Sequence, residues 1–225
     1  MIYIFDLDDT LYEERQYVKS GLWAVARFAA ITWQLNETKS FETMLQLLDT
    51  QGRGRIFDDW LAQHKLATKG NIKACISCYR LHEPKISMPE EHHQLLLQLP
   101  KPLYLVTDGN KIVQHKKIQA LGIEQYFKRI FITHRFGVKN AKPSTHCFKL
   151  IKQEEKCEWN NMTYIGDNPS KDFVNLNKLG MHTVRVLTGS HRDMVVRKGY
   201  DAQNSLMQLV DLKSLRQHKE NTASM

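Results

Sequence analysis

Hydrophobic residues are arranged along this chain in two ways. Short, nearly unbroken apolar runs occupy Met1 to Phe5, Pro102 to Thr107, Ile130 to Thr133, Thr163 to Ile165 and Thr183 to Leu187. Their β-branched and aromatic content suits strands buried on both faces, as in a parallel sheet. Elsewhere apolar positions recur every three or four residues, the period of a helix with one buried face. That spacing predicts helices over Glu13 to about Leu35, Ser40 to Leu48, Ile56 to Leu66, Ile72 to Leu81 and Glu90 to Leu99. Further helices are predicted over Lys111 to Leu121, Thr145 to about Lys156 and Asp172 to Leu179. Gly122 and Gly180 stand where the first and last of these need a C-terminal cap, and Ser144 is placed to cap the middle one.

From Pro102 onward strands and helices alternate, the signature of a parallel sheet covered on both sides. The first crossover breaks the rule. Strand one ends at Phe5 and the next begins near Pro102, whereas a parallel crossover needs only about a dozen residues. A segment so long is not a structureless loop in a compact domain. The reading is therefore an α/β core over 1–12 and 98–213, an all-helical insert over 13–97, and a polar tail over 214–225. The insert leaves and re-enters beside the end of strand one, where a lid would exclude water and select substrates.

Candidate chemistry begins at that strand end. Three aspartates, Asp6, Asp8 and Asp9, follow Phe5 within four residues. No core tolerates unpaired carboxylates, and the carboxyl ends of strands are where open α/β sheets bind ligands. Clustered carboxylates raise each other's proton affinity and attract a hard cation such as Mg²⁺. Other predicted strands end on polar groups too, at Thr107-Asp108-Gly109-Asn110 and at Gly166-Asp167, while Lys142 lies in a later loop. In a parallel sheet all these ends open on one edge, so dispersed residues converge.

Composition changes the picture little. The 225 residues are 42% hydrophobic and 25% charged, as in ordinary globular proteins. The net charge of +8 comes mainly from 98–186, which holds 15 bases against 7 acids. Those bases are scattered, without a stripe of interleaved aromatics, so no nucleic-acid partner is expected. The longest apolar stretch, Leu22 to Trp33, is broken by Arg27 and too short to span a bilayer. No membrane partner is expected. The chain opens directly on a strand, which leaves no room for a secretory signal and implies a cytoplasmic protein. Cys75, Cys78, Cys147 and Cys157 then read as free thiols. Oligomeric state is not encoded in any of these patterns.

The four motifs, in order, resemble those of the haloacid dehalogenase (HAD) superfamily, specifically its phosphatases, from Met1 to about Leu187. The first, D-x-D-x-T, is Asp6-Leu7-Asp8-Asp9-Thr10; the second is Thr107; the third is Lys142-Pro143; the fourth is the acidic pair Asp167 and Asp172. The resemblance implies a Rossmann-like three-layer core with an inserted helical cap. It implies Mg²⁺-dependent hydrolysis of a small phosphorylated metabolite, a nucleotide or sugar phosphate, through an aspartyl-phosphate. Transfer to a second acceptor and a non-catalytic relative keeping the fold are the alternatives. Asp6 is the implied nucleophile and Asp8 the general acid and base, which requires Asp8 to carry a proton when substrate binds. Asp6, the backbone carbonyl of Asp8, and Asp167 are the implied metal ligands. Thr107, the Asp108 amide and Lys142 would bind phosphate, with Asp172 orienting Lys142 or a metal-bound water. Lys139 competes with Lys142 as the motif lysine. Asp9 and Thr10 brace the turn. Dehalogenases of the family lack the second aspartate, so Asp8 argues against dehalogenation. Arg53 and Arg55, flanked by Gly52 and Gly54, are candidates for gripping a distal anion of the substrate, with Tyr79, Arg80 and His82 as others. None of the ten histidines falls on a motif, and none is assigned a catalytic role.

Overall fold

A computed structural model describes residues 1–214, so all but the first residue of the predicted tail lies outside the described residues. Six strands, β1 (Ile2–Phe5), β2 (Leu103–Thr107), β3 (Arg129–Ile132), β4 (Met162–Gly166), β5 (His182–Val186) and β6 (Asn204–Leu206), form one sheet in the order β3-β2-β1-β4-β5-β6. Every pairing is parallel. Strand β6 is not announced by the apolar pattern, because its sequence Asn-Ser-Leu is too short and polar.

Every residue of β1, β2 and β4 is buried. In a parallel sheet that requires cover on both faces, which is the three-layer α/β arrangement expected. One face carries Ile2, Ile4, Tyr104, Val106, Phe131, Phe148, Tyr164 and Phe173 in a single cluster. Phe148 and Tyr164 meet edge to face, with centroids 5.0 Å apart. The chain runs outward from β1 in one direction through β2 and β3, and in the other through β4, β5 and β6. The reversal falls between β1 and β4, where ligands bind in sheets of this kind.

The chain divides into two compact units, one of Met1–Glu14 with the chain from Ser87 onward, the other Arg15–Ile86. The helical unit holds α1 (Glu14–Trp33, whose first residue belongs to the sheet unit), α2 (Glu37–Gln51), α3 (Ile56–Gln63) and α4 (Lys69–Leu81). Its core joins Val18, Leu22, Val25, Ala26 and Ala29 of α1 to Met44, Trp60 and Cys75. Asn36 caps α2 by accepting from the Lys39 amide, and Thr68 caps α4 by accepting from the Asn71 amide. The helix α5 (Glu90–Gln98) lies in the sheet unit, not in the helical insert as its sequence position suggests. Leu95 and Leu96 are fully buried there, and His92 and His93 bond Leu11 O and the Tyr126 hydroxyl. Three more helices complete the sheet unit: α6 (Lys111–Leu121), α7 (His146–Glu155) and α8 (Val174–Lys178). Among the described residues no helix is long and apolar enough to cross a membrane.

Candidate active site

The chain leaves β1 at Asp6, whose amide still bonds Ile165 O of β4 at 2.8 Å. This continuation of the ladder fixes Asp6 against the neighbouring strand. The loop then turns sharply. Leu11 N bonds Leu7 O at 3.0 Å, and Asp9 takes a left-handed conformation (φ 51°). Asp9 earns its place in this turn through its carboxylate, which accepts the amides of Glu14 and Ser190. Thr188 donates its hydroxyl to Asp9 O. Gly189 closes the loop onto Asp9, since a Cβ there would lie 2.0 Å from Asp9 Cγ. The brace expected of Asp9 is therefore tied to a loop beyond β5. Thr10 adds its amide to the turn, but its buried hydroxyl has no hydrogen-bond partner among the described residues.

Lys142 comes from the loop after β3. Its Nζ lies 2.9 Å from Asp6 Oδ2, 2.7 Å from Asp172 Oδ1 and 2.7 Å from the Tyr164 hydroxyl. Lys139, the competing lysine, is solvent-exposed. Burial acts to lower the pKa of Lys142, but Asp172 and Asp6 raise it well above the usual lysine range. Asp172 spends both oxygens, one on Lys142 and one on the Asn168 amide at 3.0 Å. It therefore helps to hold Lys142 beside Asp6.

Gly166 ends β4 where Asp172 folds back over it. A Cβ at this position would lie 2.5 Å from Asp172 Oδ2. Gly166→Ala should push Asp172 off Lys142 and cost about 1–3 kcal/mol, as forced overpacking does. Chemical denaturation would read this as a lower midpoint, and an unchanged midpoint would remove the steric account.

Asp6 is buried, and its carboxyl is pushed up to about 7. Burial is the largest cause; Lys142 opposes it and Asp172 adds to it. Asp167 is likewise raised, chiefly by burial, against the His191 hydrogen bond. Thr107 ends β2 fully buried, with its Oγ1 accepting from Gln114 Nε2 at 2.7 Å. Asp108 ties its carboxylate to the loops that follow β3 and β4. One oxygen accepts from the Thr133 hydroxyl (2.6 Å) and the Lys142 amide (3.1 Å), and the other faces Lys171 at 3.5 Å.

Asp8 is held by three side chains. Its Oδ1 lies 2.7 Å from Lys117 Nζ and accepts the Tyr12 hydroxyl at 2.7 Å, while Oδ2 accepts Gln114 Nε2 at 2.8 Å. Burial pushes its pKa up, but Lys117, Tyr12 and Gln114 together bring it below the usual value. In this form Asp8 is ionised rather than protonated, because a buried ammonium faces it.

The family profile of haloacid dehalogenase-like hydrolases matches residues 3–186. The chain belongs to that family. Across 93% of its length this HAD-like hydrolase is 30% identical to a protein of Methanocaldococcus jannaschii named glyceraldehyde 3-phosphate phosphatase, covering 95% of that protein. Its fold matches a HAD phosphatase from Thermococcus onnurineus (TM-score 0.60, 20% identity, 96% and 97% of the two chains covered). It matches a 2-haloacid dehalogenase from Pseudomonas syringae about as well (TM-score 0.64, 17% identity, 96% and 98% covered). Fold alone therefore does not select the reaction, and the residues at the strand ends have to.

Mg²⁺ is the ion the family implies. One oxygen each from Asp6, Asp167 and Asp172 lie within 4.8 Å of one another, and all three residues are buried. Carboxylate oxygens are the hard donors Mg²⁺ takes, and the three carboxylates stand close enough for one ion to face them all. The donor set fits the ion. Asp6, Asp167 and Asp172 are the side chains that could hold it.

Several residues of this HAD-like hydrolase's site carry no sequence signal. His191 places Nδ1 2.7 Å from Asp167 Oδ2, although no motif contains it. Its pKa is raised by that hydrogen bond. Tyr164 sits inside β4 as an ordinary aromatic of an apolar run. Gln114 and Lys117 are polar positions of a helix, and only their 2% exposure reveals them. Of the selectivity candidates in the helical unit, Arg55 is exposed and pairs with Asp59 at 3.2 Å, and Arg53 lies in the preceding loop. Tyr79 is packed edge to face on Tyr17 and Phe57, and His82 bonds Tyr79 O and Ser20 Oγ. These two serve the packing of that unit.

Proposed function

We propose that this HAD-family enzyme is a Mg²⁺-dependent phosphatase that hydrolyses a small phosphorylated metabolite through an aspartyl-phosphate on Asp6. The single observation carrying the reading is the buried contact of Asp6 with Lys142, set beside Asp167 and Asp172 at the sheet edge. A phosphomonoester repels nucleophiles with its own charge. Lys142 lowers that barrier by placing a cation against both the attacking oxygen and the incoming phosphate. Asp6 and Asp167, with the backbone carbonyl of Asp8, would hold Mg²⁺; when bound, the ion supplies further neutralisation between nucleophile and phosphoryl group.

The Asp6 oxygen attacks phosphorus while the bond to the leaving oxygen breaks, and Thr107 Oγ and the Asp108 amide donate to the phosphoryl oxygens. Asp8 stands two residues from the nucleophile. The charge of an arriving phosphate raises its proton affinity; Asp8 takes up a proton from solvent as the substrate binds and gives it to the leaving oxygen as the P–O bond breaks. Ionised again, as it stands beside Lys117, it takes a proton from the water that hydrolyses the aspartyl-phosphate. The presence of Asp8 favours phosphate ester cleavage over the dehalogenation performed by a structural neighbour. Substrate selection is assigned to the helical unit, with Arg53 and Arg55 as its anion-binding candidates.

The relatives' name makes glyceraldehyde 3-phosphate the first substrate to try. A phosphate-release assay over sugar phosphates and nucleoside monophosphates, with Mg²⁺ and with excess EDTA, tests the reading. The expected result is release that needs Mg²⁺ and no added acceptor, with a three-carbon phosphate among the best substrates. Release undiminished in EDTA would remove the metal, and release only with an added acceptor would make the enzyme a transferase.

A further inference from the structure

Helix α6 turns two long polar side chains toward the core and leaves an apolar one outside. Gln114 and Lys117 are each 2% exposed, whereas Ile112 is 46% exposed. Spacing of three places Gln114 and Lys117 on one face, and that face meets the loops of the first two motifs. Burying a lysine is costly unless it is paired, so this orientation needs a reason beyond packing.

The contacts supply one. Gln114 Nε2 uses its two hydrogens on Asp8 Oδ2 (2.8 Å) and Thr107 Oγ1 (2.7 Å). Because Thr107 Oγ1 accepts from Gln114, its own proton points elsewhere and is available for a phosphoryl oxygen. Lys117 Nζ holds the other Asp8 oxygen at 2.7 Å and reaches Glu14 Oε1 at 3.3 Å. Tyr12 completes the shell with its hydroxyl on Asp8 Oδ1. Backbone geometry is arranged around the same bridge. Gly109 has φ 136°, and a Cβ there would stand 3.1 Å from the Gln114 side chain. Asn110 caps α6 by accepting from the amides of Ile112 and Val113, which fixes the rotation of the helix.

We propose that Gln114 and Lys117 are positioning residues for the reaction, Lys117 aiming the Asp8 carboxyl at the leaving oxygen and Gln114 setting Asp8 and the Thr107 hydroxyl together. This rests on the phosphatase reading above. It assigns α6 a place in the chemistry, separate from the ligands of the ion and from substrate selection.

The two roles separate by leaving group. A leaving oxygen that departs as a stable anion needs little proton donation; an alkoxide needs it fully. Values of kcat/KM are to be compared for p-nitrophenyl phosphate and β-glycerol phosphate in wild type, Lys117→Met, Lys117→Arg and Gln114→Met, with folding checked by circular dichroism. Lys117→Met should lower kcat/KM for β-glycerol phosphate by about 10²-fold, the scale of a misplaced general acid. Its loss on p-nitrophenyl phosphate should be smaller by about tenfold or more, and Lys117→Arg should recover part of the difference. Gln114→Met should lower both substrates, because it also releases Thr107, and the glycerol ester further. Equal losses on the two esters in both variants, or no loss, would overturn the positioning role while leaving the phosphatase intact. If Lys117→Met does not fold, Gln114→Met decides alone by the same ratio. Wild-type enzyme that releases no phosphate from either ester or from any member of the sugar phosphate and nucleotide panel, with Mg²⁺ present, would overturn the phosphatase reading and this inference with it.

Discussion

Asp6→Asn is expected to abolish phosphate release, by about four orders of magnitude or more, since an amide cannot form the acyl phosphate. The fold should survive the change. Asn is nearly isosteric, and the wild-type carboxyl is already strained toward its neutral form, its pKa lifted from 3.8 to about 7, first by burial. The sign of the stability effect follows from that lift. A carboxyl that is harder to ionise in the folded than in the unfolded state costs stability once pH exceeds its unfolded value, and the cost is complete above the folded value. In EDTA, wild type should therefore lose stability relative to Asp6→Asn as pH rises from about 4 to about 7, with a constant gap above that. Melting curves of the two proteins across this range measure it. A variant that keeps most of its activity, or a gap that closes with rising pH, would contradict the assignment of Asp6 as a buried nucleophile.

Lys142→Met should combine the next largest loss of activity with a marked loss of stability. Lys142 faces Asp6 at 2.9 Å and Asp172 at 2.7 Å, and all three side chains are buried. Removing the cation leaves two carboxylates facing each other without compensation. Breaking a buried pair in this way costs about 3–5 kcal/mol, roughly 10 °C in Tm for a protein of this size. The rate should fall by about 10²- to 10³-fold, the scale for losing one preorganised electrostatic partner of the transition state. Lowering the pH should restore part of the stability, because protonating Asp6 relieves the repulsion. Lys139→Met, at an exposed position, should change neither quantity measurably. If Lys139→Met proves the more damaging, the lysine of the site has been misassigned.

The same contacts explain why the helical unit and the sheet unit were unequally legible. In the sheet unit, buried parallel strands write their positions as short apolar runs, and β1 to β5 appear where those runs do. The helix ends follow local chemistry, as with Gly122 in its left-handed cap after α6. Helix α5 was harder to place. Its pattern gives a helix, but which core receives Leu95 and Leu96 is decided by packing with segments distant in sequence.

By itself the sequence determined the alternation of strands and helices, the long helical insertion, and the convergence of Asp6, Thr107, Lys142 and Asp167 at one sheet edge. These are consequences of local periodicity and of a parallel sheet opening all its strand ends on one side. Only the tertiary structure decided which polar groups those residues meet. Lys117 and Gln114 look like solvated helix positions, and His191 like a loop residue, until the fold brings them to Asp8, Thr107 and Asp167. Charge state followed the same division: the motif does not disclose that a buried lysine more than a hundred positions away faces Asp8 and lowers its pKa. The physical reason is that periodicity records how much of a side chain is hidden, whereas ionisation depends on the atoms within a few ångströms, which the chain alone does not specify.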